Sequence, residues 1–165
     1  MDDILSFIAV TPEYQDVTFV CSDGEYKTSS VVVCSLIEMY RDLSKHQSIS
    51  VIDLPLFTVA NVKDMLQSFT KEGRIAILKK RPLEDLTEIY KILDFHCIKD
   101  TLWLIYRIRD IFFFNREPSA DKVLGMYERK EGYGVIPFEL LFSPKVWENS
   151  VERWYSNGEL TNLPE

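Results

Sequence analysis

Two histidines, His46 and His96, and three cysteines, Cys21, Cys34 and Cys97, are few for a 165-residue chain that would do chemistry with them. A metal centre needs three or four convergent ligands, and neither CxxC nor HxxxH spacing occurs. The odd, widely spaced cysteines supply no disulfide framework and suit a reducing compartment. There is no GxxxxGK[ST] phosphate loop and no GxGxxG fingerprint; Gly132-Tyr133-Gly134 lacks both a preceding strand and a third glycine. Basic residues are in deficit, 19 against 26 acidic ones, giving a net charge of -7 and a pI near 4.9. That balance excludes the basic footprint with which nucleic-acid binders displace counterions. Long apolar runs are missing as well. The block Ile111–Phe114 falls far below the roughly 20 residues of a spanning helix, and Met1-Asp2-Asp3 has no basic signal region. Internal repeats and low-complexity tracts are absent. An intracellular protein of the cytoplasm or nucleus is expected, or a virion component if its role is assembly.

The remaining chemistry-bearing pairs have structural explanations. His96 adjoins Cys97, and a thiol beside an imidazole invites a nucleophile. Adjacent residues on a helix diverge by about 100°, however, so packing or capping at a helix junction is the expectation. Glu84 and Asp85 stand in the first turn of a helix, where carboxylates favour the positive end of the dipole. Lys79-Lys80-Arg81 reads as a solvated basic loop. No catalytic constellation results, and a non-enzymatic protein without cofactor or metal is expected.

What is present is a globular composition: 46% hydrophobic and 27% charged. A chain of this length fits one domain with an extension and buries roughly two-thirds of its unfolded surface. Residues 1–15 carry little pattern, although Ile4, Leu5, Phe7, Ile8 and Val10 suit the cover of an edge or groove. Asp16–Cys21 alternates with period two, Asp23-Gly24 signals a hairpin, and Tyr26–Thr28 returns as a strand. Ser29 or Ser30 caps a short helix through Val31–Cys34, and a second runs over Leu36–Leu43. Ile49–Ile52 reads as a strand broken at Pro55. The helix that follows puts Leu56, Phe57, Val59, Val62, Met65, Leu66 and Phe69 on one face. Thr70–Gly73 is expected to turn into an edge strand over Arg74–Leu78. Helices are expected at Leu83–Phe95 and Ile98–Phe114, then over Ser119–Glu128 and from Ser143-Pro144 to Trp154. The order predicts an α+β fold. Phe112-Phe113-Phe114, Tyr127, Tyr133, Phe138, Trp147, Trp154 and Tyr155 exceed what two short helices bury against each other. They either dock on the core or form a partner groove.

Several segments carry a family resemblance. VTFVCSDGE, Val17–Glu25, resembles the opening strand and turn of Skp-type adaptors, a branch of the BTB/POZ superfamily, and Asp16-Val17-x-Phe19 resembles the start of BTB domains proper. Leu54-Pro55, Val62-Lys63, Leu66-Gln67 and Thr70 are similar to the Skp-type segment leading into the third helix. Gly73-Arg74-Ile75 resembles the turn and strand that follow in BTB domains, and Leu93-Asp94 a helical-hairpin signature. Glu117–Trp154 resembles the two-helix extension of Skp-type adaptors. The resemblance implies a small, mostly antiparallel sheet flanked by helical hairpins. It implies a core over 16–114, an N-terminal segment over 1–15 and an extension over 115–165.

It further implies a bridging role in a cullin-type ubiquitin ligase. The C-terminal helices would clasp an F-box protein through Ile98, Leu102, Ile105, Phe112, Val123, Leu124, Tyr127, Val146, Trp147 and Trp154, by helix-in-groove burial. The cullin side would include Lys91 and Ile92, which stand where family members place an Asn-Tyr pair. The family's acidic insertion is replaced by Lys79–Arg81, and Ser29-Ser30 occupies the neighbourhood of the BTB-proper histidine. The alternative is a divergent BTB-fold structural or assembly protein, of viral type, that forms a homodimer or packs in a larger complex without binding cullin.

Overall fold

A computed structural model describes residues 3–112 together with 120, 122, 123, 125 and 136. The chain divides into two compact units, Met1–Thr70 and Lys71–Glu165. It is mixed α+β, with seven helices and a three-stranded sheet among the described residues.

The first unit opens with helix α1 (Asp3–Val10) and a 3-10 turn at Pro12–Tyr14. Strands β1 (Val17–Cys21) and β2 (Gly24–Thr28) form an antiparallel hairpin in the register Val17↔Thr28 to Cys21↔Gly24. The two-residue loop is therefore Ser22-Asp23. Gly24 opens β2 at φ 153°, a backbone region that side-chain-bearing residues rarely adopt. Because β2 brings the chain back to the end at which β1 began, the next strand can lie parallel to β1 on its other side. Helices α2 (Ser30–Leu36) and α3 (Glu38–Ser44) make that crossing, and β3 (Val51–Leu54) pairs parallel with β1 from Thr18↔Val51 to Cys21↔Leu54. The order is β2-β1-β3. The sheet is thus mixed, with one antiparallel and one parallel pair, rather than mostly antiparallel.

Alternation sorts this sheet into two faces. Val17, Phe19, Thr28, Ile52 and Leu54 are buried, whereas Glu25, Lys27, Val51 and Asp53 are exposed. Tyr40 of α3 meets Phe19 edge-on at 6.1 Å between ring centroids. Two helix starts in this unit are capped by side chains. Ser29 caps α2 by accepting from the Val31 N–H, and Asp16 reinforces it, its two carboxylate oxygens accepting from the Ser30 N–H and hydroxyl, both at 2.7 Å.

Helix α4 (Val59–Gln67) begins in a capping box. The Asn61 N–H donates to Thr58 Oγ1 and the Thr58 N–H to Asn61 Oδ1. The hairpin loop reaches the same place: Asp23 Oδ1 accepts from the Val59 N–H at 2.8 Å, and the Ser22 N–H donates to the Phe57 carbonyl at 2.9 Å. The expected apolar face is buried at Phe57, Val62, Met65 and Leu66, but Leu56 lies outside the helix and is exposed.

The second unit corrects one expectation outright. Arg74–Leu78 is not an edge strand; it lies within helix α5 (Lys71–Lys80). Ile75 and Ile77 alternate, but the buried pair is Ile77 and Leu78, one helical step apart. A five-residue apolar pattern does not separate period 2 from period 3.6. Lys79 and Lys80 consequently end a helix, with Arg81-Pro82 as the connection. Helix α6 spans Leu83–Phe95 as expected, with Leu83, Leu86, Ile89, Tyr90 and Leu93 buried and Pro82 as its N-cap. Helix α7 spans Leu102–Asp110, starting four residues later than expected, and hydrogen bonding widens to the π type at Ile111 and Phe112; Phe113 and Phe114 lie outside the described residues. Ala120, Lys122, Val123 and Gly125 are helical within the expected Ser119–Glu128 helix. The expected helix from Ser143-Pro144 to Trp154 lies outside the described residues. Among the described residues no helix is long and apolar enough to cross a membrane.

Candidate functional site

Of the residues expected to meet partners, Lys91 and Ile92 lie on α6, Ile98 in the connection that follows it, and Leu102 and Ile105 on α7. That connection is a Schellman motif. Cys97 takes the left-handed conformation at φ 57°, its N–H donates to the Asp94 carbonyl, and the Ile98 N–H donates to the Leu93 carbonyl. Ile98 is therefore the residue just beyond the helix end, half-buried, not the first residue of the next helix. His96 is the C-cap of α6 and is buried, with Nδ1 2.7 Å from the Ile92 carbonyl. Burial holds its imidazole below the ordinary value, against the raising effect of that hydrogen bond. Cys97 is exposed. A buried imidazole engaged with its own helix beside an exposed thiol in a capping turn is helix-end geometry, not a nucleophile and base.

Beyond the Schellman turn, Asp100 and Trp103 fasten the start of α7. The Trp103 indole N–H donates to the Asp100 carbonyl at 3.0 Å, while the Asp100 carboxylate pairs with Arg74 of α5 at 2.8 Å. The Arg74 guanidinium stands 5.3 Å from the Trp103 ring centroid, within cation–π range. Sequence reading missed this trio because its members are far apart along the chain and α5 was read as a strand. Helix α7 is buried around most of its circumference, as its apolar distribution indicated. Leu102 is its exposed apolar residue at 39%, Phe112 is half-buried, and Ile105 and Val123 are interior. Of the described residues expected to meet an F-box protein, Ile98, Leu102 and Phe112 therefore keep accessible surface, whereas Ile105 and Val123 are buried. Leu124, Tyr127, Val146, Trp147 and Trp154 lie outside the described residues.

On the expected cullin side, Lys91 is mostly buried and its ammonium pairs with Glu88 at 2.7 Å. Ile92 is fully buried. A buried isoleucine offers no surface, so in the single chain Ile92 supports its helix from within.

The end of α7 holds an unusual carboxyl. Asp110 is buried, and its Oδ2 has no hydrogen-bond partner among the described residues. Desolvation pushes its pKa up to about 7, against the lowering influence of Arg107 and Arg109. Among the described residues no three of His, Cys, Asp and Glu converge where a metal ion would sit. The surface can bury apolar side chains and form ion pairs. Compared with known proteins, the chain matches no family model, no curated protein and no solved structure.

Proposed function

We propose that the chain is a non-enzymatic protein–protein adaptor, a divergent Skp-type member of the BTB/POZ superfamily that binds an F-box-like helix bundle and connects it to a cullin. The observation that carries this reading is the α6–Schellman–α7 segment, which leaves Leu102 exposed and Ile98 half-buried while its other large apolar residues, such as Leu93, Trp103 and Leu104, are buried. The order hairpin, helix pair, β3 and capped α4 supports it, since each motif of the resemblance up to Thr70 falls on an element of the expected type. Helix α5, where BTB domains proper place a strand, makes the chain a departure from them. Pull-down with an F-box peptide and with a cullin N-terminal domain tests the proposal. Capture of the F-box peptide, weakened by Leu102→Ala at unchanged melting temperature, is expected. Failure to capture either partner overturns it.

A second reading, an assembly protein that associates with itself, is favoured by one feature. On α1, Ile4, Phe7 and Val10 recur at steps of three and are 66%, 62% and 72% exposed. Large apolar side chains in such a row are common at interfaces. Cullin binding is not needed in that reading.

A further inference from the structure

Among the described residues the sheet of the first unit has two edges, β2 on one side and β3 on the other. The Thr18 N–H donates to the Ser50 carbonyl at 2.9 Å. Thr18 and, two residues on, Val20 therefore turn their backbone groups toward β3, while Val17, Phe19 and Cys21 turn theirs toward β2. Across the hairpin the latter three face Thr28, Tyr26 and Gly24. The N–H and C=O groups of Glu25 and Lys27 consequently point out of the sheet. Among the described residues no hydrogen bond reaches those groups, and neither side chain joins an ion pair. Both residues are exposed. A strand edge in this state is a template for a further strand.

Charges of a single sign along an edge repel a second copy of the same edge. Here the signs are opposite and two residues apart, in Glu25-Tyr26-Lys27. Turned about a two-fold axis through Tyr26, the tripeptide meets itself antiparallel. Glu25 then stands opposite Lys27 of the second copy, and Lys27 opposite Glu25 of the second copy. Both pairs occupy hydrogen-bonded positions, since outward-facing residues oppose each other, and each sets opposite charges side by side. Centring the axis on Glu25 or on Lys27 would instead oppose like charges. We propose that the outer edge of β2 is a self-pairing surface whose occupant is β2 of a second copy, joining the two three-stranded sheets into one. Edge β3 offers no such match, because its outward residues Val51 and Asp53 would set valine against aspartate. A β2-to-β3 contact would repeat without closing, whereas the β2 two-fold closes at two copies.

A strip this short buries far less than the roughly 1,000 Å² of a stable interface. The pairing therefore forms at the high concentration of an NMR sample, or where another contact already holds two chains together, and a dilute chain does not dimerise through it. It rests on neither functional reading above, and its failure leaves both standing.

The test is a dilution series of the full chain followed by amide chemical shifts. Concentration-dependent shifts centred on Glu25, Tyr26 and Lys27 are expected, with slower amide exchange at Glu25 and Lys27 in the concentrated sample. Glu25→Lys and Lys27→Glu should each weaken self-association by roughly tenfold or more, since like charges then face each other. Both positions are exposed, so unchanged melting temperatures are expected. The double variant Glu25→Lys, Lys27→Glu restores the complementarity and should regain wild-type self-association. An equimolar mixture of the two single variants should pair more tightly than either alone. Concentration-independent spectra, wild-type association in both single variants, or a double variant as weak as the singles overturns the proposal. Concentration-dependent shifts confined to Ile4, Phe7 and Val10 overturn it in favour of α1 as the self-contact.

Discussion

Cys97 occupies a position that the Schellman geometry reserves for a left-handed residue, and it is the one non-glycine residue with positive φ among the described residues. An L side chain there suffers a clash between Cβ and carbonyl oxygen that glycine avoids, although glycine loses more entropy on folding. Cys97→Gly should therefore raise stability by about 0.5–1 kcal/mol in urea denaturation, and Cys97→Val should lower it. Asp110 sets a pH dependence. Its pKa is raised to about 7 in the folded chain, so the folded state holds a proton that the unfolded state has already released above pH ~4. Stability from this group is present at acid pH and is lost as pH rises toward and through about 7. Between pH 5 and 8 the wild type should lose roughly 1–3 kcal/mol relative to Asp110→Asn. Parallel denaturation profiles for the two would show that the carboxyl titrates near its ordinary value.

At the scale of elements, α4 depends on partners from distant sequence. Asp23 places a carboxylate on the Val59 N–H, at the positive end of the helix dipole, in addition to the capping box. Asp23→Ala should cost roughly 0.5–2 kcal/mol, with Thr58→Ala comparable, as read from the midpoint of chemical unfolding. Elements with strong local signals were legible in the sequence. The hairpin follows from Val17–Cys21 alternation, α2 from its serine cap, and α6 from Leu83, Leu86, Ile89, Tyr90 and Leu93 at helical spacing, all of them buried. Helix α1 was not legible, because Ile4, Phe7 and Val10 point outward while Leu5, Ile8 and Ala9 are half-buried. Apolar residues on both sides blur a 3.6 period. Helix α5 is illegible for the opposite reason: its apolar content is confined to four consecutive residues, Ile75–Leu78, too few to fix a period. The candidate site was legible as residues but not as exposure, since Ile92, Ile105 and Val123 carry the same apolar signal as Leu102 and only packing sorts them.

For the whole molecule, the two functional readings differ in what the protein does in solution. An adaptor that leaves its α1 row unused stays monomeric and binds an F-box peptide. An assembly protein dimerises through exposed apolar surface. Light scattering on the wild type and on the triple variant Ile4→Ser, Phe7→Ser, Val10→Ser separates these. A dimer that the variant dissolves supports self-association, whereas a monomer in both cases rules out α1 as a self-contact. These side chains are mostly exposed in the single chain, so the substitutions should cost little stability unless a second molecule covers them.

The loop between β1 and β2 bears on where the chain can be cut or extended. Hairpin tips are ordinarily the places where tags, new termini or inserted domains do least harm. Here the tip is engaged: Ser22 contributes both its N–H and its hydroxyl to the Phe57 carbonyl, and Asp23 holds Val59. The segment between Ser44 and Val51 is exposed over most of its length and joins α3 to β3. A flexible insert between Gln47 and Ser48 should leave the unfolding midpoint nearly unchanged. The same insert between Ser22 and Asp23 should lower it by at least the effect of Asp23→Ala, making the 45–50 loop the site for labels, circular permutation or a reporter.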